Sequence, residues 1–322
     1  MSRGALHRWL RQSLTACASV GLLIRFTVKD RWPVADLLFY ALPLPVIACL
    51  LLAAGALSPR RGSLVGRVAC FGGSAVLAGL WLTQNFFHHP CRQAASDFRV
   101  LEWNLGHGRG GWDPMVAAIR REEATVIGLV EAQTRGPNPV RFWRAKFPDH
   151  EVRAPGKGLI LLVKGEIESI RSEEFGIRSR VSVAEVKIGG RPLRVVLVDL
   201  EANWLSRREP LIERVRAAAE APAGRPVLIL GDFNTPGDSV WFDRLRRDYD
   251  NVFEVAGEGI AGTWPFHLPL LALDHLWTSK ALRPVCAGKS VGRLSDHARV
   301  WAEIAITDTS GEEGGSAESF RR

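Results

Sequence analysis

Cysteine is scarce in this 322-residue chain, and the five that occur follow no framework. Cys17, Cys49, Cys70, Cys91 and Cys286 fit neither a zinc-site spacing nor a regular disulfide pattern, and three of them sit inside apolar stretches. A Cys91–Cys286 bridge would need the later part of the chain to face an oxidising compartment; the alternative is five small buried or membrane residues. An excess of charge is also missing from most of the chain. The net charge of +8 invites a nucleic-acid-binding surface until it is divided by region. Residues 1–91 carry nine Lys and Arg against two Asp and Glu, whereas residues 92–322 carry 33 against 32. Net charge therefore gives the later part no cationic face for a phosphate backbone. The basic residues instead surround apolar runs, where they act as topology signals.

Those apolar runs dominate the first 91 residues. Residues 37–57 carry no charge over 21 residues, enough to cross a ~30 Å hydrocarbon core. Pro43 and Pro45 would break a soluble helix but are tolerated in a buried membrane helix. Residues 68–87 form a second candidate, with Gly72, Gly73, Ser74, Ala75 and Gly79 allowing close helix packing. A third stretch, about 9–27, is interrupted near its ends by Arg11, Gln12 and Arg25. The sequence thus predicts two or three transmembrane helices. With three crossings, Arg3, Arg8 and Arg11 fall on the same side as Arg60, Arg61 and Arg67, which places the C-terminal part outside. The expectation is a multi-pass inner-membrane protein with its later domain on the periplasmic or extracellular face, joined by a short linker at 88–97.

From Phe98 the pattern changes to alternating strands and short helices. Residues 98–106 read as a strand, and 112–123 as a helix capped by Asp113 with Pro114 as its first residue. Strands are predicted at 124–131 (ending on Glu131), 158–165, 182–188, 193–202 and 225–236, with a helix over 207–221. Further strands follow at 273–279 and within 292–306, where Ser295, Asp296 and His297 come just before the strand. Residues 307–322 are rich in Gly, Ser and Glu and read as a disordered tail. Residues 92–306 therefore form one α/β domain whose apolar strands deliver polar residues at their ends.

Asn104, Glu131, Asp232, Asn234, Asp274, Asp296 and His297 each follow or interrupt an apolar run. An aspartate placed directly after VLILG costs several kcal/mol if buried without partners. A divalent cation held by oxygen ligands gives such carboxylates a reason to be there, and the donor set suits magnesium or manganese rather than zinc. Each residue also has a structural reading. Asn104 and Asn234 suit turns, Glu131 could pair with an arginine, and Asp296–His297 could cap a turn. Seven such accidents at seven strand ends are a poorer explanation than one site.

The segments LEWNLGHG (101–108), VIGLVEAQ (126–133), GKGLILL (156–162), LILGDFNTP (228–236), LDHLW (273–277) and LSDHARV (294–300) occur in this order. In these the chain resembles the endonuclease/exonuclease/phosphatase superfamily, the deoxyribonuclease-I-like fold, over about residues 98–306. The resemblance implies a four-layer α/β/β/α sandwich, two packed mixed sheets flanked by helices. It implies a metal-dependent phosphoric ester hydrolase acting on phosphodiester bonds, nuclease-like or phospholipid-directed, with Mg2+ or Mn2+ as cofactor. Glu131 would be the main metal carboxylate, with Asn104 beside it and Asp296 completing the site. His297 would be the acid/base histidine oriented by Asp274, Asp232 would position or deprotonate the attacking water, and Asn234 would hold a phosphoryl oxygen.

One position departs from the pattern. Many relatives carry histidine where this chain has Asp199, and an aspartate there would repel phosphate unless a metal or lysine compensates. Asn203 could supply a neutral donor instead, and His107 could help fill the gap. The second reading is therefore a catalytically impaired member acting as a membrane-tethered binding module. The strand-end residues argue against a third reading, a transporter or membrane-assembly component, and so does a membrane region too small for an alternating pore. Candidate nucleic-acid contacts are Arg109, Arg135, Arg141, Arg144, Lys146, Arg178, Arg207 and Arg208, with Trp112, Trp204, Trp241 and Trp264 as possible groove walls. The expected partners are a phosphate-ester substrate, nucleic acid or phospholipid, and a lipid bilayer.

Overall fold

A computed structural model of the protein describes residues 2–59, 64–91, 94–134, 136, 138–203, 205–222 and 224–307. Arg60, Arg61, Arg135, Trp204 and the expected tail beyond residue 307 lie outside the described residues.

The chain opens with four helices: α1 (Arg3–Phe26), α2 (Pro33–Ala41), α3 (Leu44–Ala56) and α4 (Leu64–Asn85). Helix α3 packs between α1 and α4 around Ala18, Leu44, Ile47, Ala48 and Leu77. Ser74 ties α4 to α3 by donating to the Ala48 carbonyl at 2.8 Å. The uncharged run at 37–57 is not one straight span. It divides at Leu42–Pro43, and α2 and α3 meet there at 65°. Pro43 has no amide hydrogen to continue α2 and instead serves as the N-cap of α3.

This corrects the expected localisation. Among the described residues only α4 is by itself long and apolar enough to cross a bilayer; the bent α2–α3 pair would add at most one broken span, and α1 does not qualify. Arg8, Arg11 and Arg25 lower the apolarity of α1, and the proline break shortens the second run. Most of the described chain is an α/β domain. Among the described residues several independent spans are not there, so the multi-pass inner-membrane arrangement is overturned.

Two residues of the expected linker, His88 and Cys91, are tied to later parts of the chain. Strand β1 (Phe86–His88) pairs antiparallel with a later strand, β11 (Glu258–Ile260), and Cys91 is joined to Cys286 by a disulfide.

After β1 come β2 (Phe98–Asn104), α5 (Trp112–Arg120), β3 (Val126–Val130), α6 (Pro139–Lys146), β4 (Glu151–Gly156), β5 (Leu159–Val163), β6 (Glu166–Phe175), β7 (Ser179–Ile188) and β8 (Arg191–Asp199). Then follow α7 (Arg208–Ala219), β9 (Val227–Asp232), α8 (Phe242–Asp248), β10 (Tyr249–Asn251), α9 (Val252–Ala256), β11, β12 (Asp274–Ser279), β13 (Leu282–Ser290) and β14 (Arg299–Ile306). Two six-stranded mixed sheets result, ordered β10-β12-β9-β8-β7-β6 and β13-β14-β2-β3-β5-β4. Their facing surfaces enclose one apolar core that includes Val100, Val126, Leu161, Leu197, Leu228 and Leu230. Helices α5 and α6 cover the outside of one sheet around Trp103, Met115 and Trp143, and α7 and α8 cover the other around Ile212, Val215 and Phe242. The layers are therefore the α/β/β/α sandwich that the motifs imply. The helix expected at 112–123 begins at Trp112 with Gly111 as its N-cap, rather than at Asp113.

Register does most of the positioning. β8 runs parallel to β9 with Asp199 opposite Asp232, and β12 runs antiparallel to β9 with Asp274 opposite Asp232. Three carboxylates thus line up across one sheet end, where cross-strand neighbours share a face. On the other sheet β2 runs parallel to β3, so Asn104 and the turn leading to Glu131 leave by the same edge. Gly231 permits the close approach of β9 to β8: its φ is +142°, and a Cβ would lie 2.0 Å from the Val198 carbonyl oxygen.

Candidate active site

The two sheets meet at Asn104 and Asp232. Asn104 Nδ2, from β2, donates to Asp232 Oδ2, from β9, at 2.9 Å, and its Oδ1 accepts from the Gly106 amide at 2.9 Å. The other carboxylate oxygen of Asp232 accepts from the Asn234 amide at 2.8 Å. Asn234 in turn donates its side-chain amide to the Leu200 carbonyl at 2.7 Å. Asn234 has φ +44° and Glu131 has φ +51°. Backbone in this region costs free energy for residues other than glycine, and such strain collects at functional turns.

His297 and Asp274 form the second part of the site. Nδ1 of His297 lies 2.8 Å from Asp274 Oδ2, while Nε2 lies 3.9 Å from Asp232 Oδ2. The loop that carries the histidine is fixed from below: Ser295 Oγ donates to the Asn104 carbonyl at 2.7 Å and accepts from the His297 amide at 3.1 Å. Burial works against a proton on His297, but Asp274, Asp232 and Asp296 outweigh it and hold the imidazole up at about 10. Asp232 moves upward too, because burial and the neighbouring Asp274 both disfavour its anion.

Asp296 sits on the far side of the Asn104 turn. It accepts from Trp264 Nε1 at 3.3 Å, and a Cβ on Gly106 would come within 3.1 Å of its Oδ1. Glu131 lies 3.2 Å from His107 Nε2 and is partly exposed. Asp199 pairs with Arg180 Nη1 at 3.3 Å. Burial pushes Asp199 up to about 7, Arg180 opposing the shift and Glu131 adding to it. Asn203 turns back on its own loop, where its Oδ1 accepts from the Leu205 amide at 3.1 Å.

A cation fits this donor set. Ligand-capable atoms of Asp232, Asp274 and His297 lie within 4.8 Å of one another. Both carboxylate oxygens of Glu102 and Oδ1 of Asp274 are buried with no hydrogen-bond partner among the described residues. Burial, Asp274 and Asp232 all push Glu102 far up from the ordinary carboxylate range. Unsatisfied buried carboxylates on this scale are costly, and a hard divalent ion held by oxygen donors at this sheet end offsets part of that cost. No cysteine belongs to the group.

Two members of this neighbourhood do not stand out in the sequence. Glu102 lies two residues before Asn104, so strand alternation puts both on one face, but it is hidden inside an apolar strand. Arg180 is brought to Asp199 only by the β7–β8 register. Several expected surface contacts instead have structural partners. Arg208 is buried and donates to the Glu201 and Asn203 carbonyls, Lys146 pairs with Asp113 at 2.8 Å, and Trp112 packs edge-on against Trp143. Trp241 Nε1 donates to the Asp30 carbonyl at 2.8 Å.

The chain is similar to known proteins in sequence and in fold. The chain is 32% identical over 121 residues to Uncharacterized protein YbhP of Escherichia coli K12, covering 36% of this chain and 48% of that protein. It thus spans about half the length of the curated relative it matches. Among solved structures, truncated TDP2 from Caenorhabditis elegans superposes with a TM-score of 0.52 at 18% identity, over 65% of this chain and 97% of that one. A mannosyl-6-phosphatase from Bacteroides thetaiotaomicron gives 0.53 at 14% identity, over 65% and 99%. At these identities the structural likeness speaks for the fold. The sequence profile described as Endonuclease/Exonuclease/phosphatase family matches residues 101–297, from the strand of Asn104 to His297 itself, and the chain belongs to that family.

Proposed function

We propose that this chain is a divalent-metal-dependent phosphoesterase that hydrolyses phosphodiester bonds of a nucleic acid or a phospholipid. One observation carries the reading: two buried aspartates from one sheet, Asp232 and Asp274, meet an asparagine and a histidine carried by the other at a single sheet end. Glu131, Asn104 and Asp296 are the residues that would hold Mg2+ or Mn2+. Such a cation polarises phosphoryl oxygens and offsets the charge that builds on them. Asp232 would orient the attacking water, with Asn104 and the Asn234 amide fixing its carboxylate. His297, held through Nδ1 by Asp274, would keep a proton on Nε2 for the scissile phosphate or its leaving oxygen. Asn234 would contribute its amide to a phosphoryl oxygen, at the expense of its bond to Leu200. In this scheme Asp199 is not a phosphate contact, and Arg180 supplies the compensating positive charge beside it.

We also propose residues 92–306 as the catalytic unit and α4 as a membrane anchor. The apolar surface of α4 is largely uncovered, and most of the exposed large hydrophobic side chains among the described residues precede residue 87. The test uses the purified full chain in detergent with magnesium or manganese, against plasmid DNA, abasic DNA, sphingomyelin and a bis-phosphodiester. Metal-dependent turnover that EDTA abolishes is the expected result. Asp199, standing where many relatives have histidine, favours one competing reading, a binding module with little turnover. Absence of hydrolysis on the whole panel, with metal binding intact, would select it.

A further inference from the structure

A cavity lies at the seam between the N-terminal helices and the α/β domain. Its volume is about 490 Å³, within the ordinary range for small-molecule sites. Phe26, Leu44 and Trp81 from the helices form one wall, and Phe87, Phe253 and Leu271 form the opposite one. Asp274 is the only residue it shares with the catalytic cluster.

The polar part of the wall mixes three cations with three carboxylates, Asp238, Glu254 and Asp274. Arg25, Lys29 and Arg246 line the cavity. Arg25 is committed to Asp238 and to the Phe39 carbonyl, the latter at 2.8 Å. Arg246 is committed to Glu254 at 2.7 Å. Lys29 is different: among the described residues, its ammonium meets the Asp238 carbonyl oxygen at 3.2 Å and no carboxylate. Asp274, the third carboxylate of the lining, is held by His297 at 2.8 Å, so Lys29 is the cation left to pair with a ligand, beside a wall that is mostly apolar.

The cavity also opens where lipid would be at hand. Trp81, Gln84 and Asn85 line it from the last turns of α4, and the exposed Phe26 ends α1. Aromatic and amide side chains at a helix end suit the boundary between hydrocarbon and water.

We infer that this seam binds a single-chain amphiphile with an anionic phosphate headgroup, the headgroup on Lys29 and the acyl chain among Phe26, Leu44 and Trp81. The site is independent of the catalytic reading: binding needs neither metal nor His297. Its construction makes the N-terminal helices half of a ligand site as well as an attachment.

The test uses the full chain in a non-ionic detergent with EDTA, so that no hydrolysis occurs, and palmitoyl lysophosphatidate as the probe, followed by native mass spectrometry or calorimetry. Expected results are one bound probe, affinity that rises with acyl length, and at least tenfold weaker binding in Lys29→Glu and in the cavity-filling Ala261→Phe. Two variants guard against one failing to fold, and each is checked by its melting temperature. Asp232→Asn, altered only in the catalytic cluster, should bind the probe as the unmodified chain does. The inference is overturned if inorganic phosphate competes as well as the amphiphile, if folded Lys29→Glu and Ala261→Phe bind normally, or if Asp232→Asn abolishes binding.

Discussion

Replacing Asp274 by asparagine isolates what the aspartate does for His297. The side chain keeps its size, and an amide oxygen can still meet Nδ1, but the negative charge 2.8 Å from the ring disappears. Burial alone would lower the histidine below its usual 6.5, yet the surrounding carboxylates hold it at about 10, and Asp274 does most to raise it. An opposite charge at this range shifts a pKa by about 1–3 units, equivalent to roughly 1.4–4 kcal/mol. If protonated His297 is the acid, the alkaline limb of kcat against pH should lie near 10 in the unmodified chain. In Asp274→Asn it should move toward neutrality by about 1–3 units. Stability follows the same linkage. A histidine whose folded pKa is raised contributes stability that is full below 6.5 and lost as pH rises through about 10. The variant should therefore lose most stability at and below neutral pH and much less at pH 10. The assay is a pH–rate profile with a bis-phosphodiester, paired with denaturant unfolding at pH 6 and pH 10. An unchanged alkaline limb in a folded variant would refute the reasoning.

Three further outcomes follow from the same geometry. Glu102→Leu removes a buried carboxylate that has no hydrogen-bond partner among the described residues, so the metal-free chain should gain about 1–3 kcal/mol while its stabilisation by magnesium shrinks; thermal melts with and without metal would show both. Arg180→Ala leaves Asp199 without its opposing charge and should cost about 1–3 kcal/mol, and adding Asp199→Asn should recover part of that loss in a double-mutant cycle. Chelation of the metal should lower the melting temperature, since a cation at a hundred times its Kd adds about 2.7 kcal/mol to a folded state that alone binds it. A calorimetric scan showing no change with EDTA would count against the cation.

The site was legible in the sequence wherever an apolar strand stops at a polar residue. Asn104, Asp232 and Asp274 stand at strand ends, and His297 lies just before β14. Burial forces the strands, and the break in apolarity marks the edge that meets solvent. Glu102 and Arg180 escaped because their significance lies in the pairing of strands. Glu102 reaches Asp232 and Asp274 only once the two sheets face each other. Strand β6 was missed for a related reason: EIESIRSEEF is an edge strand with most side chains in water, so it lacks the alternation of a half-buried strand. The N-terminal helices show the converse. Apolar length at 37–57 signalled a crossing, but the bend at Pro43 depends on where the helix hydrogen bonds end, and hydropathy carries no record of that.

The most direct test of the central claim is turnover of a bis-phosphodiester by the full chain at saturating Mn2+, compared with His297→Ala and Asp232→Ala variants that retain the native melting profile. The account predicts metal-dependent hydrolysis in the unmodified chain and a loss of about 10²–10⁴-fold in each variant. Hydrolysis at the unmodified rate in either folded variant would contradict it.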